Sequence, residues 1–300
     1  MIDYCQIMTS IERPNGLGDI KKGHIKYCGI DFYRQPKGFY TGLKDNMRLK
    51  IIGELEPKLL ISNSLHKHFT KGINWNDITL SNLNESIEIL SDQFQAHLID
   101  AKVLGKVEFA VNLKRQANEI YPLMDSYRSK PFTPMKSRNK VYGSMFDLYS
   151  KRPKIYDPGA KIEISKERTL KPKNQLTRFE LVMSASECRR RNLILKNMSD
   201  FFNPIFIDGM GKELHNTFSK IKYRQGLPKD ITVKEFEIFK LFNSMTREQS
   251  LWYKNSVSES KHSRKRKVYN QLLDRCDKEV KLSKILADEV LEKWQQLSSS

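Results

Sequence analysis

One tyrosine with charged neighbours could carry out phosphoryl transfer. Tyr156 has Arg152 and Lys154 before it, the turn signal Asp157-Pro158-Gly159 after it, and Lys161 close behind. A phenol ionises near pH 10 in water, so it attacks phosphorus only with help from a cation, a base or nearby positive charge. Lys154 and Lys161 supply that charge in sequence. Two acids have spacing that suits a metal. Glu108 lies mid-run in Val103–Leu113, where Val107, Phe109, Val111 and Leu113 alternate with Glu108, Ala110 and Asn112. Glu180 repeats the arrangement in Gln175–Met183, with Arg178 beside it. On a strand, each acid therefore leaves the apolar face. Two such carboxylates could ligate Mg²⁺ or Mn²⁺, which favour oxygen donors. The plain alternative for each is a structural tyrosine and two solvent-facing glutamates. His66 and His68 form an H-x-H pair. On a strand both imidazoles would share a face, where they could bind a metal or contact phosphate, with Lys67 pointing the other way.

The elements that must position these residues are read from periodicity. Asp3–Ile11, His24–Tyr33 and Met47–Ser62 are β-rich and separated by Gly, Pro and Asn clusters, which predicts a meander. Thr79–Leu98 carries Leu80, Leu83, Ile87, Leu90, Phe94 and Leu98 on one helical stripe. Gln116–Tyr127 is expected to be a short helix, and Val141–Ser150 and Gln175–Met183 to be strands flanking Tyr156. Beyond Ser184 the pattern turns helical, through Glu187–Asn197, Lys212–Ile221, Val233–Phe242, Arg247–Ser256 and Ser263–Trp294. The expected class is α+β: an antiparallel sheet domain over 1–184, with helices packed on the face opposite Glu108, Glu180 and Tyr156, then a helical DNA-binding or accessory region over 185–300.

Charge indicates the class of partner. The 300 residues hold 53 Lys+Arg against 35 Asp+Glu, a net charge of +18. Such a chain attracts polyanions, because phosphate contacts release condensed counterions. From Lys114 to Lys173 there are 15 Lys/Arg and 6 Asp/Glu, half the net excess in a stretch that brackets Tyr156. Candidate phosphate contacts are Lys67, Arg138, Lys140, Arg152, Lys154, Arg178 and the run Arg264-Lys265-Arg266-Lys267. No apolar run reaches the roughly 18 residues of a membrane span, and no signal peptide is visible. A cytoplasmic protein without membrane attachment is expected. The cysteines Cys5, Cys28, Cys188 and Cys276 are dispersed, which argues against a zinc site and for reduced thiols.

Two segments resemble the replication initiators of filamentous phages, the gene II/gene X family, and related plasmid initiators. One is Ser64-Leu65-His66-Lys67 followed by Gly72, Asn74 and Asp77. The other is the ordered set Lys106-Val107-Glu108-Phe109-Ala110, Ile155-Tyr156 and Arg178-Phe179-Glu180, with Met1-Ile2-Asp3 as a further similarity. The resemblance runs to about Met198. It implies a rolling-circle initiator that nicks one origin strand, forms a 5′-phosphotyrosine, frees a 3′-hydroxyl primer and reseals at termination. Tyr156 takes the nucleophile's place, and Glu108 and Glu180 the acidic positions. The chain departs from the pattern at Glu108, where the family often has Asp, and at Pro158, where it has a lysine. Lys161 and Glu163 then take the places just after the tyrosine, and Glu163 and His66 join Glu108 and Glu180 as metal candidates. Implied partners are origin DNA (supercoiled duplex and single strand), host helicase, single-strand-binding protein and polymerase, in a bacterial cytoplasm. Tyr142 and Tyr149 are the nearest candidates for a second nucleophile. The same charge also fits a non-catalytic protein that binds an origin or operator, or an RNA-binding protein.

Overall fold

The computed structural model describes residues 1–19, 23–45, 47–73, 75–128, 130–148, 150–165, 172, 174–224, 231–245, 247–280 and 282–300. Asn74 and Tyr149 therefore lie outside the described residues.

The N-terminal half is the expected meander. It comprises β1 (Ile2–Ser10), β2 (His24–Tyr27), β3 (Ile30–Arg34), β4 (Tyr40–Lys44), β5 (Met47–Ile52) and β6 (Lys58–Ser64), followed by α1 (Leu65–Phe69), α2 (Leu80–Phe94) and β7 (Lys102–Leu113). The chain continues through β8 (Met124–Tyr127), β9 (Lys130–Pro131), β10 (Thr133–Ser137), β11 (Lys140–Met145), β12 (Lys151–Tyr156), α3 (Pro158–Ser165) and β13 (Thr177–Ser184). Then come α4 (Ala185–Arg190), α5 (Pro204–Phe218), β14 (Ile221–Tyr223), α6 (Val233–Ser244), α7 (Arg247–Ser256), α8 (Glu259–Val280) and α9 (Leu282–Ser298). The fold is α+β. Eleven strands form one antiparallel sheet in the order β10-β11-β12-β13-β7-β1-β6-β5-β4-β3-β2, and β14-β8-β9 form a small second sheet.

Alternation decides which face of the large sheet is apolar. Val107, Phe109, Val111 and Leu113 of β7 and Phe179, Leu181 and Met183 of β13 point into the core. Helices close over that face. Phe109 packs edge-on to Phe201 and Trp294, with ring centroids 6.4 and 6.1 Å away, and Phe179 meets Phe218 at 5.1 Å. Helix α2 buries Leu83, Ile87, Leu90 and Phe94 and is capped at Thr79 by reciprocal hydrogen bonds with Asn82. The core is thus continuous across position 184, the expected domain boundary, because α5 and α9 cover the strands that precede it. Buried Lys151 of β12 pairs with Glu213 of α5 and adds a polar tie across the same interface. A separate smaller core joins α6 to α8 through Ile238, Phe239, Phe242, Tyr269, Leu272 and Leu273.

Three local expectations are corrected. Gln116–Tyr127 is two 3₁₀ turns (Ala117–Glu119 and Tyr121–Leu123) and then β8. Pro122 lacks the amide that a continuing helix needs, and all four residues of β8 are buried. The strand expected over Val141–Ser150 stops at Met145, and Lys151–Tyr156 is itself a strand, with Tyr156 at its end. His66 and His68 lie on α1 rather than on a strand, because the Ser64 hydroxyl accepts from the Lys67 amide (2.9 Å) and caps a helix there.

Candidate active site

Register assembles the site from three neighbouring strands. On β13, Arg178, Glu180 and Val182 face away from α5 and α9, which cover the row of Phe179 and Phe109. Those three residues stand opposite Asn112, Ala110 and Glu108 of β7 on one side and Tyr156, Lys154 and Arg152 of β12 on the other. Cross-strand neighbours on one face are within side-chain reach. Period-2 alternation alone therefore brings Glu108, Glu180, Lys154 and Tyr156 together.

Asp3 arrives by a different device. A bulge in β1 sets Ile2 opposite Phe109 and Tyr4 opposite Glu108, so Asp3 is the extra residue of that ladder. Strict alternation would place Asp3 in the apolar row with Cys5 and Ile7. The bulge turns it toward Glu108, Glu180 and Arg178. The Ser64 hydroxyl donates to Asp3 Oδ1 (2.5 Å), so the serine that caps α1 also anchors the acid.

Arg178 is the hub and is only 1% exposed. Its Nη2 donates to Asp3 Oδ2 (2.8 Å), its Nε to Glu180 Oε1 (2.8 Å) and its Nη1 to Asn112 Oδ1 (3.1 Å). The Lys154 ammonium bridges Glu108 Oε1 and Glu180 Oε2 at 3.0 Å each. The Tyr156 hydroxyl donates to Glu180 Oε1 at 2.6 Å. One oxygen from each of Asp3, Glu108 and Glu180 lies within 4.8 Å of the others.

Electrostatics separates the acids. Burial alone would raise the Glu180 carboxyl, but Lys154, Arg178, Lys161 and the Tyr156 hydrogen bond hold it far below the usual range. Burial is the largest influence on Asp3 and would raise it, but Arg178, His66 and the Ser64 hydrogen bond together hold it low. Glu108 goes the other way: burial and the Glu180 charge raise it, and Lys154 offsets only part of this. Burial and Glu180 push the Tyr156 phenol well up, so it rests as a neutral hydrogen-bond donor. The buried His66 imidazole is lowered to about 3 by burial and by Arg178, and its Nε2 has no hydrogen-bond partner among the described residues.

The cluster brings three carboxylates together, with Arg178, Lys154 and Lys161 as nearby cations, and its hard oxygen donors could hold a divalent metal ion. Asp3, Glu108 and Glu180 are the candidate ligands, with His66 beside them. Lys154 already sits between two of them as an internal counter-cation.

The other candidates are more dispersed. Lys161, one turn into α3, has its ammonium 5.4 Å from the Tyr156 ring centroid. Glu163 is exposed on α3 and is not one of the three clustered acids. His68 diverges from His66, as residues two apart on a helix must, and stands 3.8 Å from Asp45. Among the phosphate candidates, Lys67 is half-buried on α1. Arg138 and Lys140 are exposed at the β10–β11 hairpin tip, and Arg152 pairs with Asp147 at 2.6 Å. Arg178 and Lys154 are turned inward onto carboxylates. Arg264 and Lys267 are exposed on α8, and Lys265 lies 5.7 Å over Tyr253. Arg266 binds the buried Asp125 (2.9 Å) and stacks over Tyr269, so it holds α8 to β8 instead of facing solvent. Tyr142 meets the Tyr156 ring edge-on at 6.1 Å.

Asp3 and Ser64 are the site residues that pattern reasoning missed. The signal for Asp3 is an acid standing in an otherwise apolar row. Gly143 is a third such residue. It lies opposite Tyr156, and a Cβ there would run into Tyr156 Cβ and approach the Ile155 carbonyl oxygen to 2.6 Å. Comparison with known proteins finds no family model that matches the chain and no matching curated protein.

Proposed function

We propose that the chain is a divalent-cation-dependent DNA strand-nicking protein of the replication-initiator type, with Tyr156 as the phosphoryl acceptor. One observation carries the reading: a tyrosine hydroxyl 2.6 Å from a carboxylate that belongs to a three-acid cluster. The lysines of the same face and the +18 net charge support a polyanionic substrate.

In this reading the Tyr156 oxygen attacks phosphorus and the bond from phosphorus to the 3′-oxygen breaks. A 5′-phosphotyrosine remains, and the leaving oxygen takes up a proton to become a free 3′-hydroxyl. Phosphoester count is conserved, so the step reverses and reseals the strand. Glu180 orients the phenol. Lys154 and Arg178 keep that acid ionised and therefore weakly basic. Lys161, beside the ring, stabilises phenolate character as the proton leaves. A cation held by Asp3, Glu108 and Glu180 would polarise the scissile phosphate. Tyr156 is 2% exposed, so the phosphate approaches over Glu108 and Lys154, whose side chains are 24% and 14% exposed, with Lys154 moving off the acids onto phosphate.

A second reading is a non-catalytic DNA-binding protein in which this network only locks β1, β7, β12 and β13 in register. The burial of Tyr156 and the pairing of each acid with Lys or Arg favour it. A nicking assay on supercoiled replicon DNA with Mg²⁺ or Mn²⁺ separates the two. The proposal expects relaxed circles and a protein-linked strand from wild type and neither from Tyr156→Phe. Origin binding without nicking by either protein supports the second reading.

A further inference from the structure

The face that carries the cluster does not end at β1. Register continues it across the meander, where its residues alternate with the buried row that faces the core. Tyr4 stands opposite Glu108. Beyond Ser62 and Leu60 of β6 come Arg48 and Lys50 opposite them on β5, then Thr41 on β4 opposite Lys50, Tyr33 on β3 opposite Thr41, and His24 on β2 opposite Tyr33. Tyr4 feels the charges of both Glu108 and Arg48, so it stands between the site and this row. Tyr33 is 59% exposed and its ring lies 6.2 Å from that of His24, while the Lys50 ammonium sits 3.5 Å over Phe39.

A sheet face that sets an exposed aromatic ring, Tyr33, beside the cations Arg48 and Lys50, and leads toward the proposed nicking site, has elements of a single-strand platform. Rings stack on any base, and cations track the backbone. We infer that the open face of β1 and β3–β6 seats single-stranded DNA that runs on from the Tyr156 cluster, an inference that rests on the nicking reading for its direction. Strands about 4.8 Å apart put β3 six steps, or roughly 29 Å, from β13. That span accommodates several nucleotides, within the roughly 4–16 of a single-strand groove. Duplex DNA is not the occupant that fits, because a stacked base pair offers no free face to Tyr33.

Fluorescence anisotropy on the full chain tests the seat. The probes are labelled oligo(dT) of about 20 nucleotides, longer than one such site, and a duplex of equal length. Tyr33→Ala is expected to weaken oligo(dT) binding about tenfold. Arg48→Ala with Lys50→Ala is expected to lower the salt slope by about 1.4, at about 0.7 per phosphate contact on a single strand. Duplex binding changes less in both. These side chains are at the surface, and an unchanged circular-dichroism melt confirms intact folding. Leu43→Glu, 66% exposed on the same face, provides a second variant and should also weaken oligo(dT). Wild-type affinity in all three variants, or equal losses for duplex and single strand, overturns the inference. The nicking reading fails separately, because only the covalent adduct reports on Tyr156, whereas oligo(dT) affinity in the Tyr33, Arg48/Lys50 and Leu43 variants reports on the seat.

Discussion

Arg178→Met tests whether the site is built on a buried charge. The guanidinium is 1% exposed and satisfies Asp3, Glu180 and Asn112 together. Removing one partner of a buried pair strands the other, which costs about 3–5 kcal/mol, against about 0–1 kcal/mol for a surface pair. Urea unfolding should therefore show a stability lowered by that amount, read as a lower midpoint at unchanged slope. Converting the acids to isosteric amides in the same background (Asp3→Asn, Glu180→Gln) should recover part of the loss, since the stranded charges are then gone. The pH dependence supplies a sign. In the wild type, Asp3 and Glu180 ionise below their unfolded values. Their contribution to stability is present above the unfolded carboxyl range near pH 4 and is lost on acidification. Without Arg178, burial dominates at Asp3 and its folded value rises above the unfolded one. Its contribution then falls as pH rises above the unfolded carboxyl range and is fully lost above the raised folded value. A cost below about 1 kcal/mol with the wild-type pH slope would refute the hub.

Lys154→Met removes the cation that bridges Glu108 and Glu180. Mn²⁺ affinity, read by isothermal titration, should tighten about tenfold, or about 1.4 kcal/mol, a modest share of the interaction of close charges near a protein surface; unchanged or weaker affinity contradicts the idea that lysine and metal compete for the same acids. Gly143→Ala introduces a Cβ against Tyr156 and the Ile155 carbonyl. It should cost about 1–3 kcal/mol and reduce adduct yield further than the stability loss explains; a neutral alanine argues that this close approach does not position the tyrosine. Tyr156→Phe forfeits one hydrogen bond to Glu180 and should lose only about 1–3 kcal/mol, so a folded variant by circular dichroism is expected, and an unfolded one means the network cannot tolerate the change.

Local interactions are the ones legible in the sequence. Alternation along β7 and β13 shows the faces of Glu108 and Glu180 before any partner strand is known. The stripe of α2 shows its packing side in the same way. Asp3 was hidden because a bulge is defined by the partner strand, and one extra residue inverts the face that alternation assigns. The helix of His66 was hidden because a single hydroxyl, Ser64, ends β6 and starts α1 within one residue. The continuity of the core past Ser184 was hidden for a different reason. Periodicity in α5 and α9 shows that each has an apolar stripe but not that the stripe covers β7 and β13. The basic run at 264–267 illustrates the same limit: composition finds four cations, and only packing shows that Arg266 is committed to Asp125.

The most direct test of the central claim is covalent capture. Wild type and Tyr156→Phe are incubated with supercoiled origin DNA and Mn²⁺, and the strand ends are resolved on a denaturing gel after protease digestion. The account predicts a nicked circle whose 5′ end carries a residual peptide through Tyr156, from wild type alone, with a free 3′-hydroxyl that a polymerase extends. Nicking by both proteins, or a peptide attached through Tyr142 instead, would contradict the assignment of Tyr156.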